Sequence, residues 1–124
     1  MMSGDFDRTD ALLADIRDLV RRAEFIVRRG RESFVYPADP GDPAARSRRI
    51  EGRAIVVEAQ AAVHELPTAF RDRYPLVAWE KLRFLADYLA AAGTARVDAD
   101  VDYGLVWEAL AVDLPRLVSQ LGIR

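Results

Sequence analysis

Apolar residues recur along this chain in steps of three and four, the spacing of one face of a helix. Leu12, Ile16, Leu19, Ala23 and Ile26 form the first such stripe, flanked by Leu13, Val20 and Val27, with Asp7 placed as a cap and Gly30 as a stop. Phe34 to Pro43 holds three prolines and the turn Asp39-Pro40-Gly41-Asp42-Pro43, which predicts a connecting loop. Asp42 then caps, Pro43 takes the first helical position, and Ile50, Ala54, Val57 and Ala61 predict a second helix to about Leu66, closed by Pro67. The short polar stretch Pro67 to Tyr74 reads as a helical turn. Pro75 opens a third long helix through Trp79, Leu82, Leu85, Ala86 and Leu89 to Gly93. After an acidic linker from Thr94 to Asp102, the positions Tyr103, Val106, Trp107, Leu110, Leu114, Leu117 and Leu121 predict a fourth helix, kinked at Pro115. Only Ala54 to Val57 invites a strand, and its Ala-rich surroundings favour helix.

Long amphipathic helices with short connections bury their stripes best against one another, so the expected fold is all-α, an antiparallel four-helix bundle with a short extra helical turn before the third long helix. One domain over residues 1–124 fits the 124 residues and 13.9 kDa. A chain of this mass buries about two thirds of its surface on folding, enough for a core of its own. With 51% hydrophobic and 31% charged residues the composition is that of a globular protein, not of a disordered one.

The absence of cysteine excludes disulfides, thiolate zinc sites and cysteine nucleophiles, and a single histidine excludes a multi-histidine metal centre. The longest uncharged stretches, such as Leu89 to Ala95, are far shorter than the roughly 20 apolar residues of a membrane span, so no membrane association is expected. Met1 to Arg8 lacks the apolar core of a secretory signal, so a cytoplasmic location is the expectation. The net charge of −2 balances 18 basic against 20 acidic side chains and gives no overall pull toward nucleic acid.

Few groupings invite chemistry. Asp98, Asp100 and Asp102 alternate like the first ligands of a calcium loop, but Tyr103 stands where that loop requires glycine and Ala109 where it requires glutamate. Helix capping explains these acids, and neither a metal nor a cofactor is expected. His64 continues the second stripe near the end of its helix, where an imidazolium suits the dipole, and Glu58 flanks the same stripe. Arginines cluster at Arg21, Arg22, Arg28, Arg29 and Arg31, and again at Arg46, Arg48, Arg49 and Arg53. Nearby acids such as Asp18, Glu24 and Glu51 can pair with them, and the second cluster is the candidate surface for a partner or for RNA phosphates. Trp79 and Trp107 sit on helical stripes as core residues.

The segment Tyr74-Pro75-Leu76-Val77-Ala78-Trp79-Glu80-Lys81-Leu82, then Leu105-Val106-Trp107-Glu108 and Asp113-Leu114-Pro115-Arg116-Leu117, resembles the C-terminal half of the HepT-like family, within the HEPN group of helical bundles. The helix from Asp10 and the run Ile55-Val56-Val57-Glu58-Ala59 extend the resemblance over nearly the whole chain. It implies a HEPN-like bundle, a homodimer, and a toxin–antitoxin setting in which the partner is a small nucleotidyltransferase antitoxin. Members of the family are metal-free ribonucleases whose arginine and histidine, from both protomers, line an RNA-cleaving cleft.

The family's catalytic signature is Arg, four residues, His, one residue, Tyr. An imidazole moves the proton of the ribose 2′-hydroxyl while a guanidinium holds the phosphate as its charge grows. Aligned from Trp79, this chain carries Ala86 at the arginine, Asp87 at the following asparagine, Ala91 at the histidine and Gly93 at the tyrosine. A second register from Arg83 meets Tyr88 and then Ala90, and a tyrosine with a pKa near 10 is a poor base at neutral pH. The expectation is a protein without ribonuclease activity that dimerises or binds a nucleotidyltransferase. The alternatives are an RNA endonuclease rebuilt from Arg83, Tyr88 and His64, and a non-catalytic RNA- or nucleotide-binding module using Arg46, Arg48, Arg49 and Arg53.

Overall fold

The computed structural model describes residues 2–92 and 101–123, and side chains from residue 8 onward. All regular structure among them is helical, arranged as a bundle. Helix α1 (Met2–Val27) begins five residues before the cap expected at Asp7 and ends in a turn where the Gly30 N–H bonds the Val27 carbonyl at 3.0 Å, with Gly30 at φ +92°. That left-handed conformation suits glycine and breaks the helix. Part of the expected loop is in fact a short helix, α2 (Arg31–Val35), which buries Phe34.

Helix α3 (Pro43–Glu65) starts as its sequence dictates, the Asp42 carboxylate accepting from the Ala45 N–H at 3.1 Å with Pro43 in the first turn. Its buried face, however, is not the expected one. Ile50 is 60% exposed, and Val57 and Ala61 are exposed as well, whereas Ala45, Arg49, Gly52, Val56, Ala59 and Val63 face inward. The stripe is rotated because two of its members, Arg49 and Gly52, carry no hydrophobic signal. A Cβ on Gly52 would lie 2.9 Å from Phe34 Cζ and 3.1 Å from Leu110 Cδ1, so the missing side chain is what lets the Phe34 ring reach the helix. Arg49 is 7% exposed, donating from Nε to the Phe34 carbonyl at 3.0 Å and from Nη2 to the Val35 carbonyl at 2.9 Å, with its guanidinium 4.2 Å from the centre of the Tyr103 ring.

Pro67 ends α3, and α4 (Thr68–Asp72) is the anticipated extra turn, its buried Phe70 packed 5.2 Å from Tyr74. Pro75 does not open the third long helix. Two bonds, Val77 N–H to the Tyr74 carbonyl at 3.1 Å and Trp79 N–H to the Val77 carbonyl at 3.0 Å, turn the chain and bury Val77 first. Helix α5 then runs Trp79–Ala92, and the expected stop at Gly93 lies outside the described residues, as does the linker up to Asp100.

Asp102 caps α6 (Tyr103–Glu108) by accepting from the Gly104 N–H at 2.9 Å. The expected kink is a widened π turn, Ala109–Asp113, before α7 (Leu114–Gln120). Pro115 has no N–H to donate and its ring crowds the carbonyl four residues back, so the extra residue lets the chain pass.

The ion pairs record the topology. Arg8 meets Glu65 at 3.2 Å while Arg22 meets Glu51 and Glu58, so α1 and α3 are antiparallel. Lys81 meets Glu108 and Asp113, each at 3.0 Å, while the Asp102 N–H donates to the Tyr88 hydroxyl at 2.9 Å, so α5 and the last helices are antiparallel too. Ile16, Ile55, Val56, Val106, Leu110 and Leu114 form the centre of the core.

Candidate functional site

Where Pro67 breaks α3, the chain reverses through α4 and returns along α5, bringing three helices to one end of the bundle. A cleft of about 340 Å³ opens there, lined by Gln60, Val63 and His64 of α3, Arg71 of α4, and Trp79, Glu80 and Arg83 of α5. Gln60 Oε1, Arg71 Nε and Trp79 Nε1 are buried without a hydrogen-bond partner among the described residues, and all three side chains line this cleft. All three atoms are closed off from solvent, so they belong to the wall behind the cleft and not to its open face.

The charges at the cleft are unevenly paired. Arg83 is held by Glu80 at 3.3 Å and by Asp87 at 3.9 Å, whereas Arg71 has no acid within ion-pair distance among the described residues. His64 stands in the last turn of α3 with its side chain exposed, next to the same opening. Among the described residues that line the cleft, Arg71 is therefore the arginine that no carboxylate holds, while Arg83 is balanced by two.

The structure brings together His64 and Arg83 and separates both from Tyr88. The Tyr88 hydroxyl accepts the Asp102 N–H near the start of α6, and Tyr88 does not line the cleft. The second arginine cluster does not form one surface. Arg49 is turned into the protein against the carbonyls of α2, Arg48 lines a separate groove with Phe25 and Arg29, and Arg46 and Arg53 are each engaged by a neighbour. A phosphate-binding patch made of all four is thereby corrected: Arg49, on the side of the helix that Arg46 and Arg53 share, is turned inward, and the helical period sets Arg48 nearly opposite to them. The first cluster pairs with acids as its spacing suggests, Arg21 to Asp18 and Arg28 to Glu24, both at 4.0 Å.

Another groove, about 580 Å³, runs between α1 and α3 past Asp15, Asp18, Arg22, Glu58 and His64. Arg22 bridges it and is held above its ordinary pKa, foremost by the hydrogen bond that Glu51 accepts, with Glu58 adding to it against a smaller loss from burial. Glu58 is thus a partner of Arg22 at 3.0 Å and belongs to a helix-to-helix tie. Asp98 and Asp100 lie outside the described residues, and among those described no group of three or more acids and histidines is arranged to hold a metal ion. No described helix is long and apolar enough to cross a membrane.

Gln60, Arg71 and Glu80 were invisible as site residues because they share no motif and come from three separate helices. Trp79 was legible only as a core position, and it is half-buried against the core while also lining the cleft. The one linear hint was Pro67, which forces the reversal that assembles them. No protein-family model, curated protein or solved structure matches this chain.

Proposed function

We propose that this chain is a HepT-like, HEPN-type protein of a toxin–antitoxin system that acts as a dimerising module and not as a ribonuclease. The observation that carries the proposal is an apolar surface left open on α5 and on the run from α6 into the π turn. Phe84 is 77% exposed and lies on the same helical face as Lys81 and Tyr88, the two residues that reach across to the last helices. Opposite, Leu105 (44% exposed) and Val112 (40% exposed) flank Glu108 on the face that Lys81 touches. Three large apolar side chains on α5 and the antiparallel run of α6 and its π turn suit a second protomer better than water.

The rim of this surface carries both signs of charge, Lys81 with Glu108 and Asp113, and Arg83 with Glu80 and Asp87. A two-fold interface sets a patch against itself, which such a mixed rim permits. The catalytic positions implied by the resemblance speak against nuclease activity, since Ala86 is buried at the place of the arginine and Ala91 supplies no imidazole.

Sedimentation equilibrium tests this reading. A dimer is expected for the parent, and Phe84→Glu is expected to shift it to monomer with unchanged helical circular dichroism. A monomeric parent, or a Phe84→Glu variant that dimerises as well as the parent, overturns it. The meeting of His64 and Arg83 in one cleft favours a second reading, an endonuclease with a rebuilt site. Labelled tRNA incubated with chelator decides it: cleavage that is lost in both His64→Ala and Arg83→Ala supports the endonuclease, and no cleavage removes it.

A further inference from the structure

We infer that the outer face of the α1 and α3 pair is a second self-association surface, which takes another copy of this chain laid end over end. It shares no residue with the Phe84 surface, so it stands whether or not that surface dimerises.

The face begins with the apolar stripe that the sequence assigns to the core. Ile50 and Val57 are 60% and 46% exposed, with Ala54 between them and the exposed Ala61 one turn further, all in steps of three and four along the outside of α3. Beside them on α1 is Phe25, 67% exposed, which lines a groove with Ser47, Arg48 and Glu51. Apolar side chains grouped in this way on the surface mark a contact with another molecule.

The charges along the face say what covers it. Arg22 lines both this groove and the larger one nearer the start of α1, so the two run into one another. At one end four carboxylates, Asp15, Asp18, Glu58 and Glu65, stand against Arg22 and His64, and at the other three guanidiniums, Arg22, Arg29 and Arg48, stand against Glu51. Arg22 with Glu51 and Glu58 cancels in the middle. Asp15, Arg29 and Arg48 have no opposite charge within ion-pair distance among the described residues, so each end keeps a charge of its own.

A partner of one sign matches one end and is repelled by the other, whereas a second copy turned end for end matches both. Asp15, Arg22 and Arg29 are seven residues apart and share one side of α1, with Asp15 and Arg29 each about 10 Å along the helix from Arg22. A two-fold axis that crosses the helices at the level of Arg22 lays α1 on its copy in the opposite direction and sets each Arg29 over the Asp15 of the other copy. An axis along the helices sets acid on acid, so the pattern selects the first orientation. These charges are open to solvent and screened by salt, so the pairing is expected at about 0.1 mM protein or more, and micromolar solutions report the Phe84 surface alone.

Sedimentation equilibrium of the full chain carrying Phe84→Glu tests the surface, with protein up to about 0.5 mM in about 0.05 M salt. Reversible dimers with a Kd of about 0.1–1 mM are expected, and about 0.5 M salt is expected to weaken them. In this background Arg29→Glu makes the Arg29–Asp15 meeting acid on acid, and Asp15→Arg makes it base on base. Each is expected to weaken self-association about tenfold or more, while an equal mixture of the two associates within about threefold of the Phe84→Glu chain, because each supplies the charge that the other lacks. Both positions are exposed, so helical circular dichroism is expected to stay unchanged. The inference is overturned if the Phe84→Glu chain stays monomeric throughout, if either charge variant self-associates as well as that chain, or if the mixture associates no better than its components. Oligoglutamate or oligolysine that binds the Phe84→Glu chain more tightly than it binds itself points to a partner of one charge and overturns it too.

Discussion

Arg49→Met removes the guanidinium of a buried arginine and keeps most of its stem, so it isolates what the charged fork contributes. Helix α2 spans only Arg31–Val35, so most of its carbonyls lack an acceptor's role within the helix. Arg49 serves as a cap supplied from another helix, meeting the Phe34 and Val35 carbonyls at 3.0 and 2.9 Å. Hydrogen bonds from a charged donor are each worth about 1.5–3 kcal/mol, and a partly desolvated cation over an aromatic ring adds about 1–2 kcal/mol. Val35 is only half-buried, so water replaces part of its bond. The expected net loss is about 3 kcal/mol, a large share of the roughly 5–15 kcal/mol that holds a domain together. Urea unfolding followed by circular dichroism gives the difference directly, and the melting temperature falls by about 12 °C at about 4 °C per kcal/mol. Arg49→Lys, a point charge without the planar fork, is expected to lose about half as much. Hydrogen exchange at the amides of residues 31–36 is expected to accelerate more than elsewhere in the bundle. An Arg49→Met midpoint within about 0.5 kcal/mol of the parent, or an Arg49→Lys variant as stable as the parent, refutes the reasoning.

Gly52→Ala adds a methyl 2.9 Å from the Phe34 ring, and the clash is expected to outweigh the helix propensity gained, for a net loss of about 1–3 kcal/mol in urea unfolding; a stabilised variant contradicts this. Lys81 is held above the ordinary lysine value of 10.5 by the hydrogen bonds to Glu108 and then Asp113. A raised folded pKa means that its contribution is complete below 10.5 and is lost as pH rises through the higher folded value. Lys81→Met is therefore expected to be about 0.5–1 kcal/mol less stable than the parent at neutral pH, with the gap closing only in strong alkali; a gap that persists there speaks against the ion pair. Trp107→Ala is expected to destabilise by about 3 kcal/mol through lost packing on Phe34, whose ring centre lies 6.0 Å away, and thermal unfolding reads it.

Much of this protein is written locally. The helical period, the Asp42-Pro43 start of α3, its end at Pro67, the extra turn before α5 and the irregularity at Pro115 follow from backbone chemistry that each short segment carries within itself. Which face of α3 is buried does not follow, because burial rewards the fit to a neighbour and not the hydrophobicity of the residue. Gly52 is inside since only a missing side chain admits Phe34, and Arg49 is inside since α2 presents two carbonyls that need donors, while Ile50 is left 60% exposed. The same holds for the cleft. His64 and Arg83 were legible as single residues of interest, but their meeting with Gln60, Arg71 and Trp79 was decided by how α3, α4 and α5 cross, a relation between distant segments that no spacing along the chain encodes.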